Sequence, residues 1–145
     1  DFTVLVDVAH TPAGLENLLK ALKDYKKGKL MVVFGCGGDR DRGKRPQMAR
    51  IAGDHSDYIF LTSDNPRSED PRQIVEEIAA GFPAGFKNFV KVVDRKKAIS
   101  ATPMSARAGD IVHWAGRGHE RARMVGEEAL PCNDREEAER VLNGR

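Results

Sequence analysis

Only two cysteines occur, Cys36 and Cys132, far apart and in no CxxC pair. This fits reduced thiols in a cytoplasmic protein better than a disulfide framework. Neither sign of charge dominates: 24 Lys+Arg against 22 Asp+Glu leaves a formal net charge of +2, so neither nucleic acid nor a membrane surface is expected as a partner. No stretch approaches the roughly 20 apolar residues of a membrane span, and no charged-then-apolar leader opens the chain. His10, His55, His113 and His119 show no ligand spacing, so no tightly bound metal is expected. Internal repeats, low-complexity tracts and Pro/Gly/Ser linkers are also missing. One domain spanning residues 1–145 is the expectation, and the apolar run that begins almost at Asp1 reads as a piece of a longer polypeptide.

A chain of 145 residues can bury roughly two-thirds of the surface its unfolded form exposes, and its apolar residues are grouped to do so. Short runs rich in Val, Ile and Phe recur at residues 3–9, 29–35, 57–62, 89–93 and 110–115, each bounded by Gly or Asp, as buried parallel strands are. Helical patterns lie between them. Leu15, Leu18, Leu19, Leu22 and Tyr25 keep helical spacing after Thr11-Pro12, and Ile74, Val75, Ile78, Ala79 and Phe82 keep it after Asp70-Pro71. Weaker amphipathic segments cover 46–53, 95–107 and 134–142, with Pro103 expected to kink or shorten the second. Strand and helix alternate at βαβ intervals. The fold class expected is α/β: a doubly wound, mainly parallel Rossmann-like sheet of about six strands with helices on both faces, residues 124–133 adding an antiparallel edge strand.

The chemistry gathers in three turns that follow strands. Thr62-Ser63-Asp64-Asn65-Pro66-Arg67-Ser68-Glu69-Asp70-Pro71 places a carboxylate, a carboxamide and a guanidinium within four residues on a turn stiffened by two prolines. Ligands of α/β sheets bind at such strand mouths, and this set suits one carrying both carboxylate and ammonium. A helix start, with Asp70 as N-cap and Pro71 at the first helical position, explains residues 70 onward but not Asp64, Asn65 or Arg67. After the second strand, Gly38 to Lys44 satisfies G-x-x-x-x-G-K, yet Arg45 and Pro46 stand where a phosphate loop needs Ser or Thr, and Asp39 and Asp41 face where phosphate would lie. Two other readings stay open: a solvated charged loop, or a turn displaying Arg40 and Lys44 to an anionic ligand beside residues 64–67. The fifth strand ends in Gly116-Arg117-Gly118-His119-Glu120, where glycines allow close backbone approach and Glu120 can hold an ammonium. The first strand brings Asp7 and, just past it, His10; an Asp at a strand tip is a ribose acceptor in many nucleotide sites and equally a loop brace.

The segments VDVAHTP (6–12), VFGCGGDRDRGKRP (33–46), TSDNPRSEDP (62–71), GRGHE (116–120) and NDREEA (133–138) follow in the order and spacing of the Mur ligases of peptidoglycan synthesis, which the chain resembles over nearly its whole length. Val8, Ala13, Arg117 and Arg123 depart from the family's usual tyrosine, aspartate, lysine and glutamine. The resemblance implies the C-terminal domain of a three-domain ATP- and Mg2+-dependent amide ligase, of the branch that adds meso-diaminopimelate to UDP-N-acetylmuramoyl-L-alanyl-D-glutamate. It implies a diaminopimelate site of Arg40 and Arg67 on the distal carboxylate, Asp64, Glu120 and the Gly116 carbonyl on its ammonium, and Asn65 between them. Asp7 and His10 would lie near ATP, while the phosphate loop and magnesium ligands would belong to the central domain and the UDP-sugar site to the N-terminal one. No catalytic residue is then expected in these residues, and the isolated domain would be inactive. The alternatives are a folylpolyglutamate-synthetase-like ligase domain and a stand-alone nucleotide- or anion-binding module.

Overall fold

The computed structural model describes residues 2–7, 11–115, 122–125 and 128–131. Five strands, β1 (Thr3–Asp7), β2 (Leu30–Phe34), β3 (Tyr58–Leu61), β4 (Phe89–Lys91) and β5 (Ile111–Ala115), form one sheet in the order β1-β5-β2-β3-β4. Every pairing in it is parallel. The connections are helical: α1 (Pro12–Lys23), α2 (Lys44–His55), α3 (Pro71–Ala79) and α4 (Arg95–Ser105).

Right-handed crossovers decide which face each helix covers. The steps β1→β2, β2→β3 and β3→β4 all advance in one direction across the sheet, so α1, α2 and α3 share a face. There Leu15 and Leu19, Met48 and Ala52, and Ile74 and Ile78 pack on Leu30, Val32, Phe34, Ile59 and Leu61. The β4→β5 step runs backward, which places α4 on the other face, where Ala98 and Ile99 meet Met31, Val33, Phe60, Val112 and Trp114. Alternate residues of β2 thus feed two cores, which is why that strand reads as unbroken apolar sequence. Thr102 accepts from the Trp114 indole N–H at 3.0 Å, sparing the buried ring an unsatisfied donor.

Local signals set the helix starts. Thr11 accepts from the Gly14 N–H, Asp70 from the Arg72 N–H, and Asp94 from the Lys96 and Lys97 N–H groups, with Pro12 and Pro71 at first helical positions. Helix α2 is longer than its weak amphipathicity suggests, because tertiary burial of Arg45, Met48, Ala49 and Ala52 sustains it. Helix α4 runs past Pro103 to Ser105; the proline falls within the last turn, where ending the helix and shortening it amount to the same thing.

The sixth, antiparallel edge strand is a correction. Residues 122–125 and 128–131 form β6 (Ala122–Val125) and β7 (Glu128–Pro131), which pair antiparallel with each other in a separate two-stranded sheet. Only Gly126-Glu127 separates them in sequence, a length that lets a chain fold back on itself instead of reaching another sheet. The helix expected over 134–142 lies outside the described residues.

Candidate functional site

Because β5, β2 and β3 are adjacent and parallel, the chain leaves all three at one edge of the sheet. The turns after β2 and β3 run in backbone contact. A Cβ on Gly35 would collide with the Thr62 carbonyl oxygen, and one on Gly38 with the carbonyl oxygen of Pro66, so only glycine permits this approach. Gly38 donates its N–H to the Asn65 carbonyl at 2.6 Å, and the Arg67 guanidinium returns a bond from Nη1 to the Gly38 carbonyl at 2.8 Å. Asp39 and Arg67 are the positive-φ residues other than glycine among the described residues, at 54° and 50°. Left-handed backbone at two ordinary side chains, one in each turn, marks conformations that their surroundings hold in place.

A charged network supplies that hold. The Asp39 carboxylate accepts from the Ser68 N–H at 3.1 Å and from its hydroxyl at 2.6 Å, and the Asp39 N–H donates to Glu69 Oε2 at 2.5 Å. Glu69 is also gripped by Arg45, Nη1 to Oε1 at 3.0 Å and Nη2 to Oε2 at 2.8 Å. Arg45 is fully buried, and it donates further to Glu77 at 3.1 Å and to the Gly37 carbonyl at 3.1 Å. Arg42 reaches the same Glu77 through Nε at 3.1 Å. A buried guanidinium needs this many acceptors to offset its desolvation.

Ionisation follows from the contacts. Hydrogen bonds from Arg45, and then from the Asp39 N–H, push the Glu69 carboxyl down from 4.5 to about 2. The Ser68 hydroxyl and N–H lower Asp39, and Arg42 lowers Glu77 against the opposing effect of burial. Since the folded pKa of Glu69 lies below the unfolded one, its stabilising effect is complete above about 4.5 and is lost as pH falls toward about 2. The difference in melting temperature between wild type and Glu69→Gln is therefore expected to shrink across that interval; a constant difference down to its lower end would contradict the ion pair.

These pairings occupy backbone donors and charged side chains of the 35–46 turn. Its Gly38 and Asp39 N–H groups, which a phosphate loop would aim at its ligand, are donated to Asn65 and Glu69. It is not simply a solvated charged loop either, because Asp39, Arg42 and Arg45 all bond to residues 68–77. Arg40 is exposed at its tip, with Nη1 resting on the Asp39 carbonyl at 3.0 Å, and Lys44 is half-buried at the start of α2. Burial pushes the Cys36 thiol up to about 12, with Lys44 and Arg45 opposing and Asp64 adding to the rise. Burial and a raised pKa both disfavour the thiolate that a nucleophilic role would need.

Arg40, Asp64, Asn65 and Arg67 thus lie on two turns fastened together, with Asp64, Asn65 and Arg67 half-buried. His10, Gly116, Glu120 and the side chain of Asp7 lie outside the described residues; the Asp7 backbone pairs with Ala115 at the end of β5. Among the described residues no group of three or more His, Cys, Asp and Glu side chains comes together.

One contributor has no signal in the motifs. Arg95, buried at the first position of α4, donates from Nη1 to the Ser63 carbonyl at 3.3 Å and from Nη2 to the Ala115 carbonyl at 3.2 Å. It ties the start of the 64–67 turn to the residue just before Gly116. An Asp-Arg pair opening a helix reads as a cap followed by a surface cation, and only the α4 crossover turns that cation inward.

Comparison with known proteins agrees with this architecture. Residues 1–118 match the family model described as "Mur ligase, glutamate ligase domain". The chain is 54% identical to a UDP-N-acetylmuramoyl-L-alanyl-D-glutamate--2,6-diaminopimelate ligase of Synechococcus sp. (strain WH7803), covering 96% of the chain but 28% of that protein. A solved structure of a ligase of the same name superposes with a TM-score of 0.93 at 42% identity, covering 97% of this chain and 29% of that one. A bifunctional folylpolyglutamate synthase/dihydrofolate synthase from Yersinia pestis c092, complexed with AMPPNP and Mn ion, shares the fold at a TM-score of 0.59 and 21% identity, over 78% of this chain and 25% of that one. The chain spans under a third of the length of the curated relatives it matches, and it belongs to the Mur ligase family.

Proposed function

We propose that these residues form the amino-acid-recognition domain of a three-domain ligase that adds meso-diaminopimelate to UDP-N-acetylmuramoyl-L-alanyl-D-glutamate in the cytoplasm. The observation that carries this reading is the Arg67 guanidinium held at the joined turns beside Asp64 and Asn65, together with 54% identity to a ligase of that name. Diaminopimelate has one amino-acid centre that reacts and a second that must be recognised. Arg67 and Arg40 suit the carboxylate of the second, since guanidinium donates in a fork; Asp64, Glu120 and the Gly116 carbonyl suit its ammonium, and Asn65 bridges. ATP and Mg2+ are assigned mainly to the preceding central domain, with Asp7 and His10 near the nucleotide, and the UDP-sugar to the N-terminal one. ATP phosphorylates the D-glutamate side-chain carboxylate, and the amine of diaminopimelate displaces phosphate from the acyl phosphate. This domain positions that amine as it closes over the nucleotide, and it has no turnover alone.

The test is an amino-acid panel with a full-length ligase containing these residues. Meso-diaminopimelate should be used with kcat/KM at least about 10^3-fold above L-lysine, because lysine leaves the arginines facing no carboxylate. Preference for L-glutamate would instead favour a folylpolyglutamate-type ligase, and no turnover with any amino acid would favour a stand-alone binding module.

A further inference from the structure

The Gly38–Asp39 peptide unit is gripped at both ends. Its carbonyl accepts from Arg67 Nη1 at 2.8 Å and its N–H donates to Glu69 at 2.5 Å. The orientation of that unit depends on Asp39 standing at φ 54°, a region disfavoured for most residues with a Cβ and open to aspartate and asparagine when their side chains are hydrogen-bonded nearby. What compensates is the Asp39 side chain, which takes the Ser68 hydroxyl and N–H from the opposite turn. The Asp39 carbonyl, one atom group further on, accepts from Arg40 Nη1 at 3.0 Å. One exposed residue therefore touches the supports of both arginines while burying nothing in the core.

Resting on the diaminopimelate reading above, we propose that Asp39 is a positioning residue for amino-acid selection, orienting the peptide on which the Arg67 guanidinium is held. Its own carboxylate is turned to Ser68, and as an anion it is unsuited to receive a carboxylate ligand. Glu69 and Arg45 anchor the same peptide from the side of α2, so the position of Arg67 is set jointly by Asp39 and by the α2 anchor. The role predicts a defect confined to the amino-acid substrate: the UDP-dipeptide is assigned to another domain, the nucleotide to the central domain and to Asp7 and His10, at or just past a different strand from the one Asp39 follows, and an exposed side chain contributes little to global stability.

The test uses a full-length ligase with Asp39→Ala, Asp39→Asn, Arg67→Ala and the Asp39→Ala/Arg67→Ala double variant. Asp39→Ala should raise KM for meso-diaminopimelate about tenfold, as expected when a charge-assisted hydrogen bond is lost, with KM for ATP and for the UDP-dipeptide within about twofold. Asparagine tolerates left-handed backbone and still accepts from Ser68, so Asp39→Asn should recover most of the loss. In the double variant the Asp39 change should add nothing to Arg67→Ala, because its effect passes through Arg67. Should Asp39→Ala fail to fold, Ser68→Ala removes the hydroxyl alone and should raise the same KM by a smaller factor. A wild-type KM in Asp39→Ala or Ser68→Ala, or multiplicative losses in the double variant, would overturn the positioning role while leaving the Arg67 assignment intact. An unchanged KM in Arg67→Ala would remove the diaminopimelate reading and this proposal with it.

Discussion

Arg67→Ala, made in a full-length ligase, is expected to lower kcat/KM for meso-diaminopimelate by on the order of 10^3-fold while leaving KM for the UDP-dipeptide nearly unchanged. Two effects add. The variant would lose the forked donor proposed for the distal carboxylate, and it would lose the bond to the Gly38 carbonyl that joins the turns. Arg67→Lys separates them, since alanine and lysine meet the same backbone demand at φ 50°, but only lysine keeps a charge. Lysine should recover part of the loss and not all of it, for want of bidentate geometry. Near-normal turnover in Arg67→Ala would sink the recognition site as assigned.

Glu69→Ala should lower the unfolding free energy by about 2–3 kcal/mol. It strips the bidentate partner from a guanidinium with no solvent exposure. Glu77 and the Gly37 carbonyl remain, which keeps the loss below that of a wholly unpaired buried charge. Arg45→Met should be milder, because the carboxylates it abandons are partly exposed at 20% and 21% and can hydrate. Urea denaturation of the three proteins measures the asymmetry; equal losses would mean that the pair contributes through packing and not through the charge left behind.

The sheet was legible in the sequence because parallel strands buried on both faces read as continuous apolar runs. The five parallel strands expected are present, with β2, β3, β4 and β5 shorter than expected by one or two residues at one end or both. The caps at Thr11 and Asp70 were equally legible, since capping is a local event. Hairpin pairing of β6 with β7 was missed, because an isolated apolar stretch carries no statement of its partner. The residues proposed for recognition were chosen from motif order, whereas the contacts that hold Arg67 and its turn had no signal there. Arg45 and Glu69 lie 24 residues apart, and Arg95 reaches carbonyls 32 and 20 residues away; such pairs obey no helical or strand period, and a buried arginine is indistinguishable in sequence from a solvated one. The positive φ at Asp39 and Arg67 was hidden for a related reason, since neither is glycine and only the network makes the conformation tenable.

The strand order also dictates a sequence of events. In the sheet, β1 pairs only with β5, Thr3 opposite Ile111 and Asp7 opposite Ala115, whereas β2, β3 and β4 pair with near neighbours along the chain. Closing the long loop between β1 and β5 is entropically demanding and gains nothing until β5 is already seated on β2. During synthesis β1 emerges before its partner β5, and the other three strands of the sheet emerge between them. Docking of β1 at the edge of the sheet is therefore expected to follow the joining of the turns after β2 and β3, whose contacts do not involve β1.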